Sequence, residues 1–290
     1  MKIQGVTPEY VHAIHELGLH PSPGELVGMR VQGVTPAYVQ ELRGMGFTPN
    51  IGEIIGMKVH GITPGYVKSL RDLKLKTDAG DIMGMKIQGV TAEYVKKLQD
   101  MGFQLNTGEV IGMKMQGVTP EYIQELRALG LKPGAGDIVA MKIQGVTAEY
   151  IKKLQDLGFQ LNTGEVIGMK VQGVTPEYIQ ELRALGLKLD AGDIMGMKIQ
   201  GVTPEYVKGM QGLGLHLDAR DLIAMKIQGV TPDYVKSMRE AGFDLNAHDL
   251  MSAKIQGITP EFIAEAKSHG FKNLDLHKLI ALKQAGVFDK

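Results

Sequence analysis

The chain has 290 residues with 32 basic and 32 acidic side chains, no net charge at pH 7, 43% hydrophobic residues and no cysteine. The balanced charge excludes a global attraction to nucleic acid or to an anionic membrane surface, and the missing thiols exclude disulfides, thiolate metal sites and cysteine nucleophiles. No apolar run approaches the roughly 20 residues that span a bilayer, and no basic-then-apolar leader opens the chain, so a soluble chain is expected, with the cytoplasm as its default location.

The opening stretch Met1-Lys-Ile-Gln-Gly-Val-Thr-Pro-Glu-Tyr10 recurs in close copies at a fixed interval, with repeats starting at Met1, Met29, Met57, Met85, Met113, Met141, Met169, Met197, Met225 and Ala253. A self-similarity of this length running end to end is the mark of a stacked repeat array. One elongated domain over residues 1–290 is therefore expected. The fold class predicted is all-α, a right-handed α-solenoid (superhelix) of ten 28-residue helix-turn-helix repeats.

Each repeat carries two helix signals in order. The first, helix A, opens on Thr followed usually by Pro and an acid, as in Thr175-Pro176-Glu177: the hydroxyl accepts from a free backbone N–H, Pro has no donor to waste, and the acid faces the positive end of the helix dipole. It stops at a Gly such as Gly102, Gly130 or Gly186, with Lys74 the exception in that column. Helix B is announced by an N-cap with an acid three residues on, as in Ser22-Pro-Gly-Glu25, Asn106-Thr-Gly-Glu109 and Asp190-Ala-Gly-Asp193, which is a capping box. Helices of about ten residues are too short to stand alone in water, so stacking must hold them.

The apolar spacing divides the helices into layers. Tyr94, Val95, Leu98 and Met101 share one face of helix A, with Lys96, Lys97, Gln99 and Asp100 opposite. Helix B is more uniformly apolar, with Ile82, Met83, Met85 and Ile87, and carries glycines at 80 and 84. Glycine inside a helix costs up to about 1 kcal/mol against alanine, so a neighbouring backbone is expected to need the room. Helix B is then the crowded inner layer and helix A the half-exposed outer one. The blocks 85–140 and 141–196 differ at seven of their 56 positions, so repeats alternate in pairs and a duplicated two-repeat unit is their expected source. The last repeat has one extra loop residue, and residues 275–290 are expected to form a C-terminal cap.

Three columns could carry an interaction. Lys86, Lys114, Lys142, Lys170 and Lys198 hold one, continued by Lys226 and Lys254. It is either a ladder tying successive repeats together, its ammonium groups reaching water or carbonyls of a neighbour, or a basic stripe for an acidic peptide or a nucleic-acid backbone. Gln88, Gln116, Gln144, Gln172 and Gln200 run beside it and could hydrogen-bond between repeats. The Tyr column from Tyr94 to Tyr234 reads as core, and Phe262 closing it shows a loss of the hydroxyl. His15-Glu-Leu-Gly-Leu-His20 misses the i, i+4 spacing that a zinc helix needs, and His12 and His15 read as surface residues. No catalytic residue, metal site or cofactor is expected, and the chain is read as not an enzyme.

The unit Gly-Val-Thr-Pro-Glu-Tyr-(Ile/Val)-x-x-(Leu/Met)-x-x-(Leu/Met)-Gly, seen at 173–186, resembles short two-helix repeats of bacterial proteins that extend membrane-anchored sensor metallopeptidases. That resemblance covers the whole chain and implies a sensing or protein-binding array, without the peptidase and membrane segments. Thr-Pro-Glu at a helix start also resembles the DNA-reading repeats of plant-pathogen effectors, and Gln-Gly-Val-Thr-Pro the helix-hairpin-helix corner, in which Thr119 stands where the second Gly would be. The expected function is a non-enzymatic scaffold binding a protein or peptide along its surface. Nucleic acid, the alternative partner, is disfavoured by the charge balance, and a second alternative is an engineered or purely structural array with no ligand.

Overall fold

A computed structural model of the chain describes residues 5–288. Residues 1–4, with the first Lys and Gln of their columns, and 289–290 at the end of the expected cap lie outside the described residues. Among the described residues there are twenty α-helices and no strand.

The chain divides into two compact units, one ending at Ile143 and one beginning at Gln144. The first holds α1 (Pro8–Glu16), α2 (Pro23–Val31), α3 (Pro36–Gly44), α4 (Ile51–Val59), α5 (Pro64–Arg71), α6 (Ala79–Ile87), α7 (Ala92–Asp100), α8 (Thr107–Met115), α9 (Pro120–Ala128) and α10 (Ala135–Ile143). The second holds α11 (Ala148–Asp156), α12 (Thr163–Val171), α13 (Pro176–Ala184), α14 (Ala191–Ile199), α15 (Pro204–Gly212), α16 (Ala219–Ile227), α17 (Pro232–Glu240), α18 (Ala247–Ile255), α19 (Pro260–Ser268) and α20 (Leu276–Gln284). Odd helices are helix A of each repeat and even helices are helix B. In the first unit α1, α3, α5, α7 and α9 pack each on the next, and so do α2, α4, α6, α8 and α10. The second unit repeats the arrangement, with α11, α13, α15 and α17 in one layer and α12, α14, α16, α18 and α20 in the other. Two such layers, one repeat stacked on the next, make a helical-repeat solenoid with the period read from the sequence.

The start and stop signals act as chemistry requires. Thr91 Oγ1 accepts from the Tyr94 N–H at 3.1 Å, and Asn106 and Glu109 cap each other's backbone at 2.9 and 2.8 Å. Helix α7 ends at Gly102, whose φ of +87° is open to glycine at no steric cost. Lys74 takes the same turn at φ +59° with a side chain attached, a conformation that costs an L-residue about 1–2 kcal/mol.

The layers differ from expectation in two respects. Helix A buries Tyr94, Val95 and Leu98, and helix B buries Ile82 and Met85, but Ile87 is 58% exposed. Helix B is therefore not an enclosed inner layer. Ile87 lies about 140° round the helix from Ile82 and about 160° from Met85 at 100° per residue, outside the arc that meets the neighbouring helices. The glycine expectation is also corrected: a Cβ at Gly84 would meet the Cδ1 of Ile111 at 3.2 Å, and one at Gly168 the Sδ of Met195 at 3.3 Å. The neighbours are ends of side chains, not backbone, and the same column accepts Ala140 and Ala224.

Candidate interaction surface

The Tyr column forms the main seam between repeats. Tyr94 is buried, and its hydroxyl donates to the carbonyl of Val118 in the following repeat at 3.0 Å. The same bond links Tyr38 to Ile62, Tyr66 to Val90, Tyr150 to Val174, Tyr178 to Val202, Tyr206 to Val230 and Tyr234 to Ile258. Burial disfavours the phenolate and pushes these hydroxyls up to about 12, as at Tyr94 and Tyr150. The column reads as core in the sequence, but its hydroxyls are also working donors. Phe262 does without one, and its ring meets that of Phe288 edge-on at 5.5 Å.

The Lys column closes over the same seam. Lys86 Nζ sits 5.0 Å from the Tyr66 ring centre, Lys114 4.9 Å from Tyr94, Lys142 4.4 Å from Tyr122, Lys170 4.6 Å from Tyr150 and Lys198 4.5 Å from Tyr178. Each lysine thus reaches back from its helix B to a cation–π contact with the tyrosine of the helix A before it. Arg30, holding the column in the second repeat, lies over Tyr10 and also donates from Nε to the Gly5 carbonyl at 2.8 Å. Carbonyls of a neighbour were one expected destination of these cations; the aromatic ring was the missed one. Ring and cation stand on consecutive helices, Tyr94 on α7 and Lys114 on α8, so the pair leaves no local pattern, although both columns keep the repeat period.

The Gln column stands differently. Gln88, Gln116, Gln172 and Gln200 are exposed at the C-caps of helices B and make no side-chain hydrogen bond, and Gln144 follows the last residue of α10. The expected bond between repeats occurs where Gln284 Nε2 donates to Gln256 Oε1 at 3.2 Å.

A second seam explains the alternation of repeats in pairs. At the end of helix A, Arg127 Nη1 donates to the Met101 carbonyl of the preceding repeat at 2.9 Å, Gln99 Nε2 to Leu73 at 3.0 Å, and Gln211 Nε2 to Leu185 at 2.8 Å; Arg43, Arg183 and Arg239 make the same bond to Leu17, Leu157 and Leu213. Where Phe follows the Gly that stops helix A, the next repeat carries a cation over that ring: Arg71 over Phe47, Arg127 over Phe103, Arg183 over Phe159 and Lys267 over Phe243. The pairing of repeat types is a pairing of ring with cation.

The face these seams leave open was not foreseen. The last residue of helix B is aliphatic and more than half exposed in repeat after repeat: Val31 63%, Val59 56%, Ile87 58%, Met115 59% and Ile143 57% in the first unit, and Val171, Ile199, Ile227 and Ile255 at 52–60% in the second. The signal was in the sequence, in the angular position of Ile87 worked out above. Single exposed aliphatics are ordinary, but a row of them along the stacked helices B of one unit is the kind of surface that marks an interaction site.

Concave features are shallow. One cleft of about 740 Å³ lies between the loops at 73–76 and 102–106, lined by Leu75, Phe103, Leu105, Lys74 and Lys76 among others. It converges no acid, base and nucleophile. His12 Nε2 is 3.0 Å from Glu16 Oε1, and the His15 and His20 rings stand 5.3 Å apart. Among the described residues no group of three His, Asp or Glu side chains could hold a metal ion, and no helix is long and apolar enough to cross a membrane. No family model, curated protein or solved structure matches the chain.

Proposed function

We propose that the chain is a non-enzymatic helical-repeat scaffold that binds a protein, and that its contact surface is the outward face of the helices B. The observation that carries this reading is the row of aliphatic residues at the ends of these helices, each more than half exposed. Burying such a residue fully is worth about 1.5–3 kcal/mol, so a row of them is costly to leave in water unless something covers it. The exposed Gln column beside it supplies a polar rim of donors and acceptors, as protein interfaces commonly have.

The geometry of the Lys column supports a structural role rather than the basic stripe. Its ammonium groups lie 4.4 to 5.0 Å from Tyr ring centres at Lys86, Lys114, Lys142, Lys170 and Lys198, and a nucleic-acid backbone would have to draw them off. The test is binding of an environment-sensitive apolar dye. The wild-type chain should bind it, and Ile87→Glu/Met115→Glu with Ile199→Glu/Ile227→Glu should abolish the signal while leaving the helical circular dichroism intact. Equal dye binding by wild type and the fourfold variant would remove the ridge as a binding face.

A further inference from the structure

We infer that the ridge of the first unit is a self-association face whose occupant is the same ridge of a second copy of this chain; the inference rests on the protein-binding reading and names its partner. On each helix B the second, fifth, sixth and ninth residues share one side, the i, i+3, i+4, i+7 spacing of a single helix face. In α6 these are Gly80, Met83, Gly84 and Ile87, and in α8 Gly108, Ile111, Gly112 and Met115. All twenty such positions of α2, α4, α6, α8 and α10 are uncharged, whereas the second unit places Arg220 and His248 on the same side of α16 and α18. A charged peptide or a nucleic acid finds nothing there to pair with.

The face is also shaped to meet itself. Within the unit the fifth residue of one helix already seats on the sixth-position glycine of the helix before it: Ile55 Cδ1 would stand 3.4 Å from a Cβ at Gly28, Met83 Sδ 3.0 Å from one at Gly56, and Ile111 Cδ1 3.2 Å from one at Gly84. What stays exposed is the second-position glycine at one end of each helix, which at Gly52, Gly80 and Gly108 has only its own N-cap oxygen close by, and the protruding aliphatic at the other. A two-fold axis lying in the plane of the contact and perpendicular to the helices sets helices B of two copies face to face and antiparallel, which brings the aliphatic end of one against the glycine end of the other. This makes an isologous contact in which each ridge residue is both knob and wall.

The spacing selects the occupant. Ridge residues recur at the distance between stacked helices, about 8–10 Å, and a second copy of the array carries its knobs and gaps at that same interval. Five helices of about 13 Å each, side by side, present a face on the order of 600 Å² before its relief is counted. That approaches the roughly 800 Å² per partner of a stable interface.

The experiment is the mass of the full chain in solution by sedimentation from about 1 to about 100 µM, a range that brackets micromolar association. The wild type should reach twice the 31.5 kDa of one chain. Ile87→Glu/Met115→Glu and Ile87→Lys/Met115→Lys should each stay monomeric, with dimer affinity reduced at least about 100-fold, and should form a mixed dimer when combined. Ile87→Ser/Met115→Ser serves as a milder variant should either charged one fail to fold, and Ile199→Glu/Ile227→Glu in the second unit should dimerise as wild type does. A wild type that remains monomeric overturns the inference, as does wild-type dimerisation of the Glu variant, or its loss in the second-unit variant alone. If the monomeric wild type still binds the apolar dye and the Glu variant does not, only the second copy is refuted; if neither binds it, the protein-binding reading falls as well.

Discussion

Helices α7 and α8 belong to one repeat, have nine residues each and are capped with equal care, yet they meet water differently. The outer side of α7 carries Glu93 and Lys97, paired at 3.0 Å, and Lys96 and Asp100, paired at 2.9 Å. The outer side of α8 carries two glycines, Ile111 and the exposed Met115. Charged i, i+4 pairs of this kind add only a few tenths of a kcal/mol each, but they finish a surface for solvent. The helix A side is a finished exterior and the helix B side an uncovered one, which is the reason the proposed contact is put on helix B.

That contrast can be broken or sharpened by substitution. The largest effect belongs to the shared core: Leu98→Ala, at a residue with no exposure, should cost about 3 kcal/mol of unfolding free energy, read from the urea midpoint. Next comes the seam. Tyr150→Phe removes the donor to the Val174 carbonyl and should cost about 1–2 kcal/mol.

The seam also sets an alkaline limit. The folded chain holds these phenol protons up to about 12 while an unfolded tyrosine releases its own near 10. Between those values the unfolded state binds fewer protons, so stability falls as pH rises. It should be complete below pH 10 and drop steeply towards pH 12 in a denaturation series, with Tyr-to-Phe variants flattening the drop. No collapse in that window would mean that the hydroxyls are not buried donors.

Smaller effects separate the two faces. Lys170→Met, which leaves the Tyr150 ring without its cation, should lower stability by about 0.5–1 kcal/mol; no change would return the lysines to the role of a free basic stripe. Gly168→Ala on helix B should be neutral or stabilising by up to about 1 kcal/mol from helix propensity, because the flexible Met195 side chain can shift by the few tenths of an ångström required. A strong loss would restore the idea of a tight backbone approach.

The helical repeat and its caps were legible because their causes are local: Thr91 and Tyr94, or Asn106 and Glu109, sit within one helical turn of each other. The seams were not, since Tyr94 finds Val118 only once the next repeat is in place, and Lys114 finds Tyr94 only once α8 has folded back on α7. The ridge was a different kind of miss. Ile87 was counted as one more apolar residue of helix B, where its angle from Ile82 and Met85 would have set it apart. Gly84 misled in the same way, its period being visible and its neighbour, Ile111, not.

The ring-and-cation seam fixes how such a chain can change its length. Removing the repeat 113–140 would set Gln155 after Phe103 and leave that ring without a cation, whereas removing 85–140 joins Arg71 and Leu75 to Gln155 in the same order that now joins them to Gln99. A cation-bearing repeat lost by itself strands the ring before it, whereas the block of two repeats is a unit this array can gain or lose without that mismatch.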